Sequence, residues 1–246
     1  LPRASTDAIL ANMRAITPAD LAKLLLAARP VGQPLVAGLT GPVAVGKTTL
    51  ARQLADALAG TAQVEIIGTD GFLHPNAVLE ARGLLTRKGF PESYDRAALA
   101  DVMARSRREA VTVPAYSHAH YDIDPALSRQ VAPADVLLFE GLGLAPVPDV
   151  PPLPLDVLIY VDASADDVIG WFLARFMALR TAAVDDPASF YRQFQAMDAA
   201  AAAQFARGVW DAINGPNWQQ HIAPARDVAD IVVLKQAGHG LQLLRG

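Results

Sequence analysis

A chain of 246 residues with 52% apolar and 19% charged side chains has material for one large buried core, which excludes a globally disordered protein. Its formal charge of −4 argues against a nucleic-acid binder with a basic face, but not against a site that needs only local phosphate donors. The lack of cysteine excludes disulfides, thiolate catalysis and thiolate-bound zinc, and fits a reducing, cytoplasmic setting.

Residues 1–34 read as a helical extension. Thr17 is placed as an N-cap with Pro18 at the first helical position, and Leu21, Leu24, Leu25 and Ala28 recur on one face. This stretch is interrupted by Lys23 and is too short to cross a bilayer, so no membrane anchor is expected. Residues 35–246 read as a single α/β domain. Short apolar runs at 35–39, 64–67, 111–113, 136–139, 157–161 and 231–234 predict strands. Helical patterns cover 47–58, 96 to about 108 behind the N-cap Asp95, 166–180, and a long stretch from 187 to about 213. The alternation predicts a doubly wound, mostly parallel sheet flanked by helices. The proline-rich segment 145–154 reads as a surface connector.

Between the first predicted strand of that domain and its helix stands Gly41-Pro42-Val43-Ala44-Val45-Gly46-Lys47-Thr48, a full match to G-x-x-x-x-G-K-[ST]. The glycines let the chain curl so that successive N–H groups point inward at phosphate oxygens, and the helix opening at Lys47 adds its positive end. Lys47 is expected to reach the β- and γ-phosphates of ATP, and Thr48 to ligate Mg²⁺. An accidental match in a chain of this length is expected roughly once in a hundred from average residue usage. The fold implied is that of the P-loop nucleoside triphosphatases.

Ligands of doubly wound sheets gather at the carboxyl ends of the strands. Asp70, in Thr69-Asp70-Gly71-Phe72, follows the second strand of the α/β domain and reads either as a base for an acceptor hydroxyl or as a turn residue before Gly71. Glu140 closes Leu137-Leu138-Phe139-Glu140 and reads either as a partner of metal-bound water or as a strand end facing solvent. Residues 116–124 crowd Tyr116, His118, His120, Tyr121, Asp122 and Asp124 into one loop. It suits a hydrogen-bonding acceptor pocket or a polar surface; two histidines two apart lack an evident third metal ligand. Arg175 and Arg180 are candidates to steady a transferring phosphate, or simply exposed helix arginines.

Taken together, residues 41–49, Thr69-Asp70-Gly71-Phe72-Leu73-His74-Pro75-Asn76, Arg87-Lys88-Gly89-Phe90-Pro91-Glu92-Ser93-Tyr94-Asp95, Tyr116-Ser117-His118 and Phe139-Glu140-Gly141-Leu142 resemble the type I bacterial pantothenate kinases, relatives of uridine kinase and phosphoribulokinase. Arg175-Phe176, Asp186-Pro187, Trp210 with Ile213-Asn214, and the stretch from Lys235 to His239 extend the resemblance towards the C-terminus. It implies ATP-dependent phosphorylation of pantothenate, with a related kinase of another small alcohol (a nucleoside, sugar or glycerate) as the alternative. It also implies that Asp70 is the base, that Arg175 contacts the transferred phosphate, and that Gly41, Val43, Ala44, Val45, Gly46, Lys47, Thr48, Thr49 and His239 bind ATP. Tyr116, His118, Phe172, Tyr191 and Asn214 would line the substrate pocket, and Thr48 and Glu140 would serve the metal. A homodimer and inhibition by CoA or its thioesters follow from the same resemblance. Phe172 stands where the family typically has a tyrosine, and Leu179 and Val184 replace aromatics, so CoA feedback and the acceptor's identity are left open.

Overall fold

The computed structural model describes residues 14–246, so the expected extension before Arg14 lies outside the described residues. In chain order these residues form β1 (Arg14–Ile16), α1 (Pro18–Ala27), β2 (Leu35–Thr40), α2 (Lys47–Leu58), β3 (Val64–Gly68), α3 (Asn76–Ala81) and α4 (Arg96–Arg105). Then come β4 (Val111–Val113), β5 (Tyr116–Ser117), β6 (Asp122–Ile123), β7 (Arg129–Val131), β8 (Val136–Glu140) and β9 (Val157–Asp162). They are followed by α5 (Ala165–Ala182), α6 (Ala199–Val209), β10 (Ile231–Lys235) and β11 (Leu241–Arg245).

The central strands are apolar throughout because consecutive residues feed two different cores. Leu35, Ala37 and Leu39 of β2 join Val136 and Leu138 of β8 and Val157, Ile159 and Val161 of β9 in one core. Val36, Leu137, Phe139, Leu158 and Tyr160 point to the other. The main sheet has the order β1-β11-β10-β9-β2-β8-β3. The pairs β3–β8, β8–β2, β2–β9 and β9–β10 are parallel, while β11 and β1 close one edge antiparallel. All five parallel strands therefore end on the same side, where Gly41, Thr69, Gly141, Ala163 and Gln236 begin the loops. β2 lies between β8 and β9, so the chain departs from it to one side and later returns on the other, opening a crevice at its carboxyl end.

The described part of the N-terminal segment shares this architecture. Thr17 and Asp20 form a reciprocal capping box at the start of α1. Fully buried Leu21 and Leu25 enter the core that holds Leu50 and Leu54 of α2, and each such leucine contributes roughly 1.5–3 kcal/mol. Among the described residues, no helix is long and apolar enough to cross a membrane.

Two expected helices are shorter than their patterns. The stretch 187–213 is not one helix: a 3-10 segment, Phe190–Ala196, precedes α6, and π-helical Trp210–Asn214 follows it. The break has identifiable causes. Asp198 accepts a 2.8 Å bond from the Ala201 N–H as the N-cap of α6, and the Arg180 guanidinium takes the carbonyls of Phe194 and Met197 that a continuing helix would use. Helix α4 stops at Arg105 rather than near 108, because Arg107 is drawn away to Asp156 at 2.8 Å and to the Pro34 carbonyl at 3.0 Å. The predicted strand 111–113 forms, but it pairs with β7 in a separate ribbon.

Candidate active site

The loop after β2 is shaped by its glycines. Gly41 has φ 147°, and a Cβ there would sit 2.4 Å from the Val161 carbonyl oxygen, so only glycine lets the chain pass the end of β9. Ala44 and Gly46 both take left-handed φ, 65° and 95°, and give the alternating turn that turns N–H groups inward. Lys47 opens α2 with its side chain folded along the loop, donating to the carbonyls of Gly41 at 3.1 Å and Pro42 at 2.9 Å. It is 9% exposed. Burial pulls its pKa down to about 8, against the opposing pull of Glu140 and Asp70.

Beside Lys47 the Thr48 hydroxyl donates to Glu140 Oε1 at 2.8 Å. The strand-end glutamate thus faces the loop rather than bulk solvent. Burial raises its pKa, while Lys47 and Thr48 act to lower it. Gly141 directly after it has φ 149°, and a Cβ there would lie 1.9 Å from the Thr69 hydroxyl. The absence of a side chain at 141 lets the ends of β3 and β8 lie together.

Asp70 sits in the 3-10 turn Thr69–Phe72. That turn is tied to the segment carrying Tyr94 by His74 N–H to Ser93 O and Asp95 N–H to Phe72 O, both at 2.8 Å. The Tyr94 hydroxyl then reaches Asp70 Oδ1 at 3.2 Å. Gly71 admits the next element: a Cβ there would be 2.1 Å from the Pro114 carbonyl, so the β5–β6 hairpin can close over the turn. A cleft of about 250 Å³ results, lined among others by Thr48, Asp70, Tyr116, His118 and Glu140.

The loop 116–124 is accordingly not a plain surface segment. Tyr116 packs edge-on to His118 at 5.2 Å, and Tyr121 stacks on Phe190 at 4.3 Å. His120 Nδ1 lies 3.3 Å from Asp124 instead of joining His118. Among the described residues no three His, Asp or Glu side chains gather as a metal group. Tyr191 packs on Phe176 at 5.9 Å and on Phe190 at 5.4 Å, and lies within electrostatic reach of Tyr116.

The two helix arginines separate. Arg180 is consumed by main-chain carbonyls, as described above. Arg175, one turn earlier on α5, is exposed, and its charge is felt by Lys47, Glu140, His118 and Tyr191. Phe172 packs against Trp210 at 5.5 Å, and Asn214 lies one turn beyond that tryptophan; neither lines the cleft that holds Asp70. His239 packs on Trp171 at 5.6 Å, on the far side of the phosphate loop from Asp70, and Thr49 is exposed on the first turn of α2.

Sequence reasoning singled out neither Lys88 nor the part played by Tyr94. Lys88 donates to Asn76 Oδ1 and to the Tyr121 carbonyl, both at 2.6 Å, and its ammonium lies 4.4 Å from the Tyr121 ring centre and 4.8 Å from that of Tyr116. Burial lowers its pKa to about 8, although Asp122 and Asp70 favour the charged form. It fastens the hairpin to α3. The only signal available was their place in the run 87–95; nothing in a lone lysine or tyrosine announces such contacts.

The sequence matches the family model described as the phosphoribulokinase/uridine kinase family over residues 36–205. It is 44% identical over 226 residues to a pantothenate kinase of Clavibacter sepedonicus, covering 88% of this chain and 71% of that one. A pantothenate kinase of Cutibacterium acnes is 43% identical over 220 residues, with 84% and 67% covered. Among solved structures, a Silicibacter protein provisionally assigned as a fructose transport system kinase superposes with a TM-score of 0.68 at 24% identity, over 87% of this chain and 95% of that one; this likeness is one of fold.

Proposed function

The chain belongs to the phosphoribulokinase/uridine kinase family and, within it, to the pantothenate kinases, and from that premise we propose that it transfers the γ-phosphoryl group of ATP to the hydroxyl of pantothenate. The products are 4′-phosphopantothenate and ADP, the first step towards coenzyme A. The observation that carries the reading beyond the family is that the Thr48–Glu140 pair and Asp70 line one cleft, with the buried Lys47 ammonium within electrostatic reach of both carboxylates.

Asp70 accepts the hydroxyl proton as the acceptor oxygen attacks the γ-phosphorus, and the bond to the β–γ bridging oxygen breaks to release ADP. Lys47 and Arg175 offset the charge that accumulates on the transferring group. The loop residues Gly41, Val43, Ala44, Val45, Gly46, Thr48 and Thr49 cradle the phosphates, and His239 lies towards the base. Tyr116 and His118 cover the acceptor, with Tyr191 behind them; a substrate role for Phe172 and Asn214 rests on the family resemblance.

The residues present fit Mg²⁺: a hydroxyl and a carboxylate, both hard oxygen donors, meet at 2.8 Å beside the phosphate loop. Thr48 and Glu140 would hold the ion, which would supply charge neutralisation to the transferring phosphate. A homodimer, inhibition by CoA or acyl-CoA, and a cytoplasmic setting complete the reading, and they rest on the family resemblance.

The test is ADP release with ATP and Mg²⁺ against pantothenate, uridine, ribulose 5-phosphate and glycerate. Turnover with pantothenate alone is expected, and Asp70→Asn should remove most of it while keeping ATP affinity. Turnover with another alcohol and none with pantothenate would overturn the acceptor and keep the kinase.

A further inference from the structure

We propose that Lys235 is a positioning residue for the phosphate loop, holding the Val45–Gly46 peptide unit so that its N–H faces the phosphates of the nucleotide. The inference rests on the reading of this loop as an ATP site. Lys235 ends β10, and its Nζ donates to the Val45 carbonyl at 2.8 Å. In a trans peptide the C=O and N–H point in opposite directions, so an oxygen drawn towards Lys235 turns the Gly46 N–H to the other side of the chain. Alternating left-handed φ, as at Ala44 and Gly46, is the conformation in which successive N–H groups gather on one side of a loop.

The backbone does not secure this orientation unaided. Gly46 has φ 95°, and glycine takes either sign of φ at little cost, so the peptide unit before it is free to rotate. A tether on its carbonyl removes that freedom before the ligand arrives, and pre-organisation of this kind appears as affinity. The tether is itself held in place. The Trp171 ring centre lies 4.4 Å from Nζ, an attraction between an ammonium and an indole face, and His239 packs on the same ring. The approach is close: a Cβ at 46 would lie 2.7 Å from Nζ, and the lysine end would have to move to admit it. β10, α5 and the phosphate loop are thereby joined through one side chain.

The variant Lys235→Met keeps the apolar stem and removes the donor. Calorimetric titrations with ATP, tripolyphosphate and adenosine, at about 0.1 M and about 1 M salt, separate the possible roles, because exposed-charge effects fade over that range. Affinity for ATP and tripolyphosphate should fall about tenfold, the scale of one hydrogen bond made by a charged group, at both salt levels. Adenosine binding should not change. In ¹⁵N-labelled protein the Gly46 amide signal should move on tripolyphosphate addition in the wild type and stay in the variant. A loss present only at low salt would mean that bare charge is responsible, and a loss shared by adenosine would mean direct contact with the base. Either result overturns the proposal, as does unchanged tripolyphosphate affinity. Trp171→Leu leaves the charge in place and should give the same pattern more weakly; it decides the matter if Lys235→Met does not fold. A wild type that binds neither ATP nor tripolyphosphate would instead sink the ATP reading itself.

Discussion

The Tyr94 hydroxyl donates a 3.2 Å hydrogen bond to Asp70 Oδ1 from a side chain that is only 7% exposed. Tyr94 is held by its own packing, and burial together with the charge of Asp70 keeps its pKa well above that of a free phenol. The phenol is therefore a permanent donor that fixes one oxygen of the carboxylate. Tyr94→Phe should lower kcat roughly three- to tenfold with ATP affinity unchanged, the scale of one neutral donor to a charged acceptor. Steady-state kinetics alongside nucleotide titration checks the split.

The partnership of Thr48 and Glu140 makes a second expectation. Glu140→Gln keeps the shape of the side chain and its contact with the threonine hydroxyl but removes the charge. The concentration of Mg²⁺ that gives half-maximal activity should rise about tenfold, while KM for the acceptor changes little. Titrating activity with Mg²⁺ at saturating ATP measures it. An unchanged Mg²⁺ requirement would remove Glu140 from the metal site.

Lys47 carries a pH dependence whose sign follows from its pKa. Folding lowers that pKa from 10.5 to about 8, so between these values the unfolded chain binds more protons than the native one, and the free enzyme gains stability as pH rises across that window. Nucleotide binding runs the other way. Phosphates require the charged lysine, and phosphate groups have titrated near about 6, so affinity should fall as pH climbs through about 8, with proton uptake on binding. Calorimetry in two buffers of different ionisation enthalpy at pH 9 measures that uptake. Lys47→Met should abolish both the uptake and turnover.

Gly71 is the point of closest approach between the β5–β6 hairpin region and the turn that bears Asp70. In Gly71→Ala the new methyl meets the Pro114 carbonyl at 2.1 Å, a backbone group that cannot rotate away. The hairpin must shift, at a cost of roughly 1–3 kcal/mol in stability. Because Tyr116 and His118 move with it, KM for the acceptor should rise severalfold while ATP binding is kept. Denaturant melts and substrate titrations together separate the two effects.

Much of the site was legible in the chain because its chemistry is local. The run from Gly41 to Thr48 specifies its own curl through glycine φ angles and the opening of a helix, and Asp70 just past β3 and Glu140 at the end of β8 need only a parallel sheet to be carried to the same side. The six predicted strands all form, and for β2, β8 and β9 a residue pattern buried on both faces is itself the signal. The short pairings β1–β11, β4–β7 and β5–β6 were less legible, because strands of two to five residues owe their existence to a partner remote in sequence.

The sequence by itself determined the phosphate loop, the parallel sheet and the placing of Asp70 and Glu140 at the carboxyl ends of its strands. Tertiary structure alone decided how ambiguous side chains are used. Arg180 and Arg175 are the same residue type on the same helix, yet one is bound to the carbonyls of Phe194 and Met197 while the charge of the other is felt across the cleft. Lys88, Tyr94 and Lys235 are ordinary residues in a linear reading. Each gains its role from partners brought near by the fold: Asn76 and Tyr121 for Lys88, Asp70 for Tyr94, Val45 for Lys235. A hydrogen bond depends on position to within a few tenths of an ångström, and only the packed chain sets positions that finely.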